Sequence, residues 1–463
     1  MGNTRAGSPI DLPIFTKIFI WSLIFEPLIY FVLASGGQTT GIPFSVSRFL
    51  QTLCVAAFLF NVILTNPSTL QKQCNATRLS KYFVYYIIVL LVSTLFGVFI
   101  FHSYSITIKN NLFVSDANVP FLKSRYMRPI FDIFLLLYYY FYFILLSKYY
   151  INTKRALQYF FKYFIISFYW VLAFGFIDLA FSLVTGEALI KRHFGEGTDV
   201  GLRFHSFAGE PRDAFVYLVY ASFLLVIYNM LFSKIRYTKI ISALIVSAVI
   251  LTQSASGIVG VIVGGMLAMG YFLGKMNKRA FYFLGIFAII IALIAILIPY
   301  SPRLQLYVDG FSTLIESLES GKELPYILLV QSVNFLPFWG MFHQLSEYNY
   351  FQFLFGSGVS SAAYFNMNYI GDYSYSNPNA QFTRILFEGG VIGFILYLFF
   401  LTKPVLRLIK ELPLKARQNS TFLFFLFTGS SLAHRSLVPF ILIGVILAYN
   451  NVYKGYKETS NVS

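Results

Sequence analysis

Charge is scarce in this chain. Of 463 residues only 12% are Asp, Glu, Lys or Arg while 57% are hydrophobic, and a soluble chain of that length would need far more charge to cover its surface. Cysteine is scarcer still. Cys54 sits in an apolar run and Cys74 in a basic connector, so neither a disulfide framework nor a metal knuckle is available. Acidic residues number 19 against 35 Lys and Arg, for a net charge of +16. That excess alone would suggest nucleic acid. The basic residues, however, are dispersed through short connectors between apolar runs, which is the positive-inside signal and not a nucleic-acid-binding stripe. A cleavage site after the first apolar stretch, Ile14 to Ala34, is also missing, so that stretch reads as an anchor and not as a removable leader.

What the chain does have is apolar runs. They fall near 14–34, 46–65, 82–101, 130–147, 158–184, 213–232, 239–252, 257–273, 280–300, 385–402, 420–434 and 437–452. At roughly 20 residues per span, the expected fold is an all-α polytopic membrane protein with about twelve transmembrane helices in a single domain. The seventh and eighth runs are short, as are the eleventh and twelfth, and each pair suits a tight hairpin. Orientation follows from the connectors. Every even one is short and basic (Lys72, Arg78 and Lys81; Lys148, Lys154 and Arg155; Lys234, Arg236 and Lys239; Lys275, Lys278 and Arg279; Lys403, Arg407, Lys410, Lys415 and Arg417). This places them, and both termini, in the cytoplasm. The odd connectors are then external, and three are long: 102–129, 185–212 and, between the ninth and tenth runs, 301–384. Loops of that length are usually functional. The longest combines an expected amphipathic helix, Leu304 to Glu319, with aromatic turns, and is expected to pack over the membrane domain. Neither a repeat of the two halves nor a low-complexity segment is visible.

Ionisable groups inside apolar runs are costly and mark function. Glu26 lies in the middle of the first run, before Pro27; His102, Asp132 and Asp178 fall at external ends; His434 and Arg435 form the external tip of the last hairpin. Taken singly, each can be a helix-end group that snorkels or pairs internally. Their shared external bias argues for a polar cavity open outward.

Two loop–span junctions sharpen this. Gly201-Leu-Arg-Phe-His-Ser-Phe-Ala-Gly-Glu-Pro-Arg-Asp213 runs straight into a span, with Pro211 suited to the first helical position and Asp213 to the helix dipole. Arg203 and Arg212 oppose that dipole, so a partner anion is expected. A phosphate or diphosphate is the simplest, because guanidinium binds its oxygens bidentately; a salt bridge of Arg212 to Glu210 is the rival. Asn377-Pro-Asn-Ala-Gln-Phe-Thr-Arg-Ile-Leu-Phe-Glu-Gly-Gly-Val-Ile-Gly393 enters the next span. Here Asn377 suits an N-cap and Pro378 the first turn. Asn377, Gln381, Arg384 and Glu388 then share one helical face and are expected to line the cavity, against the rival of a simple Arg384–Glu388 ion pair. Gly389, Gly390 and Gly393 permit close packing. Arg303 opens the longest loop at the same side. Glu210, Asp213, His343 and Glu347 are the candidate general bases. Thr252-Gln-Ser-Ala-Ser-Gly257 reads as a packing turn between two short spans.

In this order on this topology, the Arg203–Asp213 loop, the Thr252–Gly257 turn, Arg303, Phe355-Gly-Ser-Gly358 and the Asn377–Gly393 segment with its Gly390-Val-Ile-Gly393 resemble the O-antigen polymerase and O-antigen ligase superfamily of bacterial surface polysaccharide assembly. The resemblance covers roughly residues 200 to 400. It implies a metal-independent glycosyltransferase without cofactor, in the bacterial inner membrane. Its substrate would be an undecaprenyl-diphosphate-linked oligosaccharide at the periplasmic face, and its partners the membrane lipid and a chain-length regulator. It also implies that Arg203 or Arg212, Arg303 and Arg384 hold the diphosphate. Arg435 joins Asn377, Gln381 and Glu388 as a cavity residue. Where ligases of the superfamily carry a histidine this chain has Asn379, which favours a repeat-unit polymerase over a ligase. A lipid-linked oligosaccharide flippase is the alternative of another class. Its loops would be expected to be short on both sides, with binding groups at mid-membrane.

Overall fold

The computed structural model describes residues 12–28, 32–34, 44–64, 81–100, 126–186, 189, 203–208, 210–232, 237–273, 336–346, 349–370, 378 and 380–460, with isolated positions between 285 and 312. Within bilayer hydrocarbon every backbone N–H and C=O must find a partner in the protein, and the helix provides one inside each segment. The apolar runs accordingly become α1 (Ile14–Phe25), α2 (Val46–Leu64), α3 (Lys81–Thr94, continued by a π-helical turn, Leu95–Ile100), α4 (Met127–Tyr150, with a π-helical stretch at Tyr140–Leu145), α5 (Lys154–Thr185), α6 (Pro211–Leu231), α7 (Thr238–Leu251) and α8 (Ala255–Leu273). Three short helices follow, α9 (Leu336–Ser346), α10 (Tyr350–Phe355) and α11 (Ser361–Ile370), and then α12 (Gln381–Lys410), α13 (Leu414–Ala433) and α14 (Val438–Ser460). Among the described residues, six helices (α2, α3 with its π turn, α4, α5, α6 and α12) are long and apolar enough to cross a membrane, and four shorter apolar ones (α1, α7, α8 and α14) accompany them.

The first run departs from expectation. It does not span as 14–34: α1 stops at Phe25, because Pro27 has no N–H to continue the ladder, and Val32–Ala34 instead pairs antiparallel with Phe44–Ser45. Glu26 is therefore a helix-end group and not a mid-span one. Its carboxylate accepts from Arg48 Nη2 at 3.0 Å, Ser47 Oγ at 2.6 Å and Gln51 Nε2 at 2.5 Å, all from the start of α2. The ninth run and the expected helix Leu304 to Glu319 lie outside the described residues apart from isolated positions.

The helices pack where small residues allow backbones to approach. Gly260 and Gly264 of α8 face Gly429 and Ser430 of α13. A Cβ at Gly260 would stand 2.7 Å from Ser430 Cα, and one at Gly429 would stand 2.2 Å from the Gly260 carbonyl. Elsewhere aromatics fill the interior: Phe83 stacks on Tyr140 at 4.1 Å and Phe365 meets Phe387 at 5.0 Å.

Helices α9, α10 and α11 of the long loop rest on α12, and α10 also touches α3. One backbone interlock pins them. Helix α12 breaks at Gly390 (φ 64°, ψ −171°), freeing two carbonyls that the Gly356–Gly358 turn then takes up. Ser357 N–H donates to Phe387 O at 2.8 Å and Gly358 N–H to Glu388 O at 3.0 Å, with Ser93 Oγ also donating to Glu388 O at 3.1 Å. Irregular backbone survives here because each strand of it satisfies the other. The start of α12 also differs from expectation. Ala380 is its N-cap and is extended (φ −75°, ψ 113°), so helical geometry begins only at Gln381 and Pro378 lies before the first turn.

Candidate active site

Gln381, Arg384 and Glu388 sit at offsets that place them on one face of α12, and all three line a cavity of about 70 Å³ together with Asp132 of α4, Tyr139 and Arg435. Arg384 is its centre. Its Nη2 donates to Asp132 Oδ2 at 3.0 Å and its Nε to Glu388 Oε1 at 3.0 Å. The intrahelical pair anticipated as a rival thus exists, but only as half of a two-carboxylate clamp that bridges α12 to α4. Ser360, next to the glycine turn and at φ 65°, donates its Oγ to the same Asp132 oxygen at 2.7 Å. Arg384 is therefore satisfied by protein groups. Arg435 is not. Among the described residues it makes no hydrogen bond or ion pair, it is exposed, and it lines the same cavity. The positive charge of Arg384 pulls the Arg435 guanidinium down to about 10, against the opposing pull of Asp132, Tyr139 and Glu388. An anion entering the cavity would relieve that repulsion.

A second polar group lies on the other side of the turn between α13 and α14. Residue His434, bonded in sequence to Arg435, places Nε2 2.8 Å from Asp213 Oδ1 in the first turn of α6. Pro211 occupies the start of that helix, as the sequence predicts, and Glu210 is its N-cap residue without a side-chain capping bond. Arg212 is poorly paired: its Nε stands 3.9 Å from both Glu210 Oε2 and Asp213 Oδ2, contacts too long to be hydrogen bonds. Among the described residues, three buried atoms in this cluster have no hydrogen-bond partner, namely Glu210 Oε1, Arg212 Nε and His434 Nδ1. Two groups of charges are thus joined by the single peptide between His434 and Arg435.

Arg203 takes a different position from the other arginines. Its Nε and Nη2 donate to the carbonyls of Thr252 and Gln253 at 3.1 Å each, where α7 ends. A cation there complements the dipole it caps, so the side chain ties the 203–208 loop to the turn between α7 and α8. Beside it Asp178 of α5 lies 3.7 Å from His205, both buried. Arg303, Asn377, Glu347, His102 and Asn379 lie outside the described residues, and His343 falls within α9. Among the described residues no three His, Cys, Asp or Glu side chains gather as a metal site would require.

The sequence singled out Asp132, Asp213, Arg384, His434 and Arg435, but not who meets whom. The Asp132–Arg384 and Asp213–His434 pairs join residues more than 200 positions apart, and no local signal announces them. No family model, curated protein or solved structure matches the chain.

Proposed function

We propose that the protein is a polysaccharide repeat-unit polymerase. It would transfer a growing glycan from an undecaprenyl-diphosphate carrier to another lipid-linked repeat unit at the periplasmic face of the bacterial inner membrane. One observation carries the reading. Arg384, Arg435 and Arg212, brought from three separate helix ends, lie with carboxylates and a histidine around one turn. The reaction needs this combination. Negative charge develops on the departing diphosphate and must be met by fixed positive groups. An acceptor hydroxyl must lose a proton as it attacks. Arg435, without a hydrogen bond or ion pair among the described residues, is the cation best placed to take a phosphate oxygen, while Arg384, clamped by Asp132 and Glu388, shapes the site. The motif resemblance supports the same substrate class. Twelve spans with both termini cytoplasmic and Arg303 at the same face belong to this proposal, as does a chain-length partner.

A deletion strain tests the reading by the lipopolysaccharide it makes. A single repeat unit on core, with long chains restored by the wild-type gene, is the expected result. Bare core would point to a ligase or a flippase instead, and unchanged chains would overturn the proposal.

A further inference from the structure

Three atoms in the cluster around Arg212 are buried without a hydrogen-bond partner among the described residues. His434 is the member whose chemistry is most defined. Its ring is 94% buried, with 6% of the side chain exposed. Its Nε2 faces a carboxylate oxygen of Asp213 at 2.8 Å. A carboxylate only accepts, so Nε2 carries a proton, and in the neutral ring Nδ1 is then the acceptor. Nδ1 is buried and has no hydrogen-bond partner among the described residues. Burying an unpaired acceptor costs about 1–3 kcal/mol, and a bound hydroxyl would remove the cost.

We propose that His434 is the general base of the transfer and that Asp213 positions it. The inference rests on the glycosyl-transfer reading and assigns the acceptor side of that site. The acceptor sugar hydroxyl hands its proton to Nδ1 as its oxygen bonds to the anomeric carbon of the donor. The bond from that carbon to the carrier diphosphate breaks, and the electron pair leaves with the diphosphate toward Arg435. The imidazolium that results is stabilised by Asp213, and the proton is released to solvent after the product leaves. Nothing else is consumed. The dipeptide His434-Arg435 thus divides the labour, one side chain serving the acceptor and the other the leaving group.

Two competing bases are less suited. Asp213 already spends Oδ1 on His434. Glu210 lies at the N-cap of α6, where the helix dipole favours its anion and weakens it as a base. A neutral imidazole is matched to proton transfer near neutral pH. Of the other charged groups near the ring, the guanidinium of Arg212 has no lone pair to offer, and Glu210 Oε1, although unpartnered among the described residues, belongs to the carboxylate that the helix dipole holds as a weak base.

The test measures chain extension in membranes supplied with lipid-linked repeat units. His434→Gln retains an amide that can donate to Asp213 but cannot accept a proton. It should reach the membrane in normal amount and extend chains about 100-fold or more slowly. Asp213→Asn, which leaves the imidazole unaided, should fall between the two. In His434→Ala, added imidazole should restore part of the lost rate, a recovery that a purely structural role would not produce. Extension by His434→Gln at more than a tenth of the wild-type rate overturns the assignment, as does an inactive His434→Ala that imidazole leaves inactive. These outcomes are separable from failure of the polymerase reading, since a deletion strain with normal chains would strike at that reading first.

Discussion

At the scale of single residues, two arginines in one cavity have opposite accounts. Arg384 is held by two carboxylates, with 12% of its side chain exposed. Replacing it by alanine leaves Asp132 and Glu388 as neighbouring buried anions without their counter-charge, a defect that costs about 3–5 kcal/mol. Arg384→Ala should therefore lower the unfolding temperature in detergent as well as abolish polymer. Arg435 has no such partner to abandon. Arg435→Ala should unfold at nearly the wild-type temperature while losing long-chain product, because under the proposed function what it removes is a contact to substrate. If both variants lose stability alike, Arg435 is a structural cation and the assignment of a diphosphate subsite to it fails. Lysine at 384 would keep the charge but not the fork that reaches Asp132 and Glu388 together, so partial recovery of stability is expected there.

At the scale of elements, the interlock between the glycine turn and the break in α12 determines where Glu388 and Arg384 point. Gly356 and Gly390 both adopt positive φ, and a Cβ on either would stand 2.4 Å from Glu388 O or 2.3 Å from Leu354 O. Neither backbone can yield without losing the Ser357 and Gly358 bonds. Gly356→Ala and Gly390→Ala should each free the 336–370 helices to protease and lower the unfolding temperature by several degrees. Gly270→Ala in α8, where nothing lies within 4 Å of the added carbon, should be neutral. Equal protease resistance of all three variants would show that the loop is held by other contacts. The sequence displayed the parts of this interlock, since Phe355-Gly-Ser-Gly358 and Gly389-Gly390 both stand out in apolar surroundings. What it could not display was that they meet, because a backbone carbonyl freed by a kink leaves no trace in residue type. The same limit explains α1. A run of apolar residues reads as a span until the position of Pro27 is weighed against it, and strand pairing of Val32–Ala34 depends on a partner ten residues away. The Gly260–Gly264 spacing, by contrast, was open to reading as a packing face, and its contact with Gly429 follows the ordinary rule for small residues.

At the scale of the whole molecule, the contacts sort the helix ends into two sets. Asp178 of α5, the starts of α6 and α12, Asp132 near the start of α4, and the turn between α13 and α14 converge through the Asp132–Arg384, Asp213–His434 and Arg203–Thr252 contacts. These are the ends that counting of connectors assigns to the outside. At the other ends of the same helices stand Lys148, Lys154, Arg155, Arg407 and Lys410, with Lys403 donating to Tyr82 at the start of α3. Carrying a positive charge outward against a membrane potential costs about 2.3 kcal/mol per 100 mV, so the proposed function puts this basic end in the cytoplasm and the candidate site outside. Single cysteines in a Cys74→Ser background check the arrangement, buried Cys54 remaining in place. Leu189→Cys, beyond the end of α5, should react with a membrane-impermeant maleimide on intact spheroplasts. Tyr237→Cys, between α6 and α7, and Glu411→Cys, between α12 and α13, should react only after permeabilisation. Labelling of all three from one side would mean that the helices do not alternate as the contacts require. Labelling in the reverse sense would place the arginines in the cytoplasm, where a glycan already carried across the membrane could not reach them.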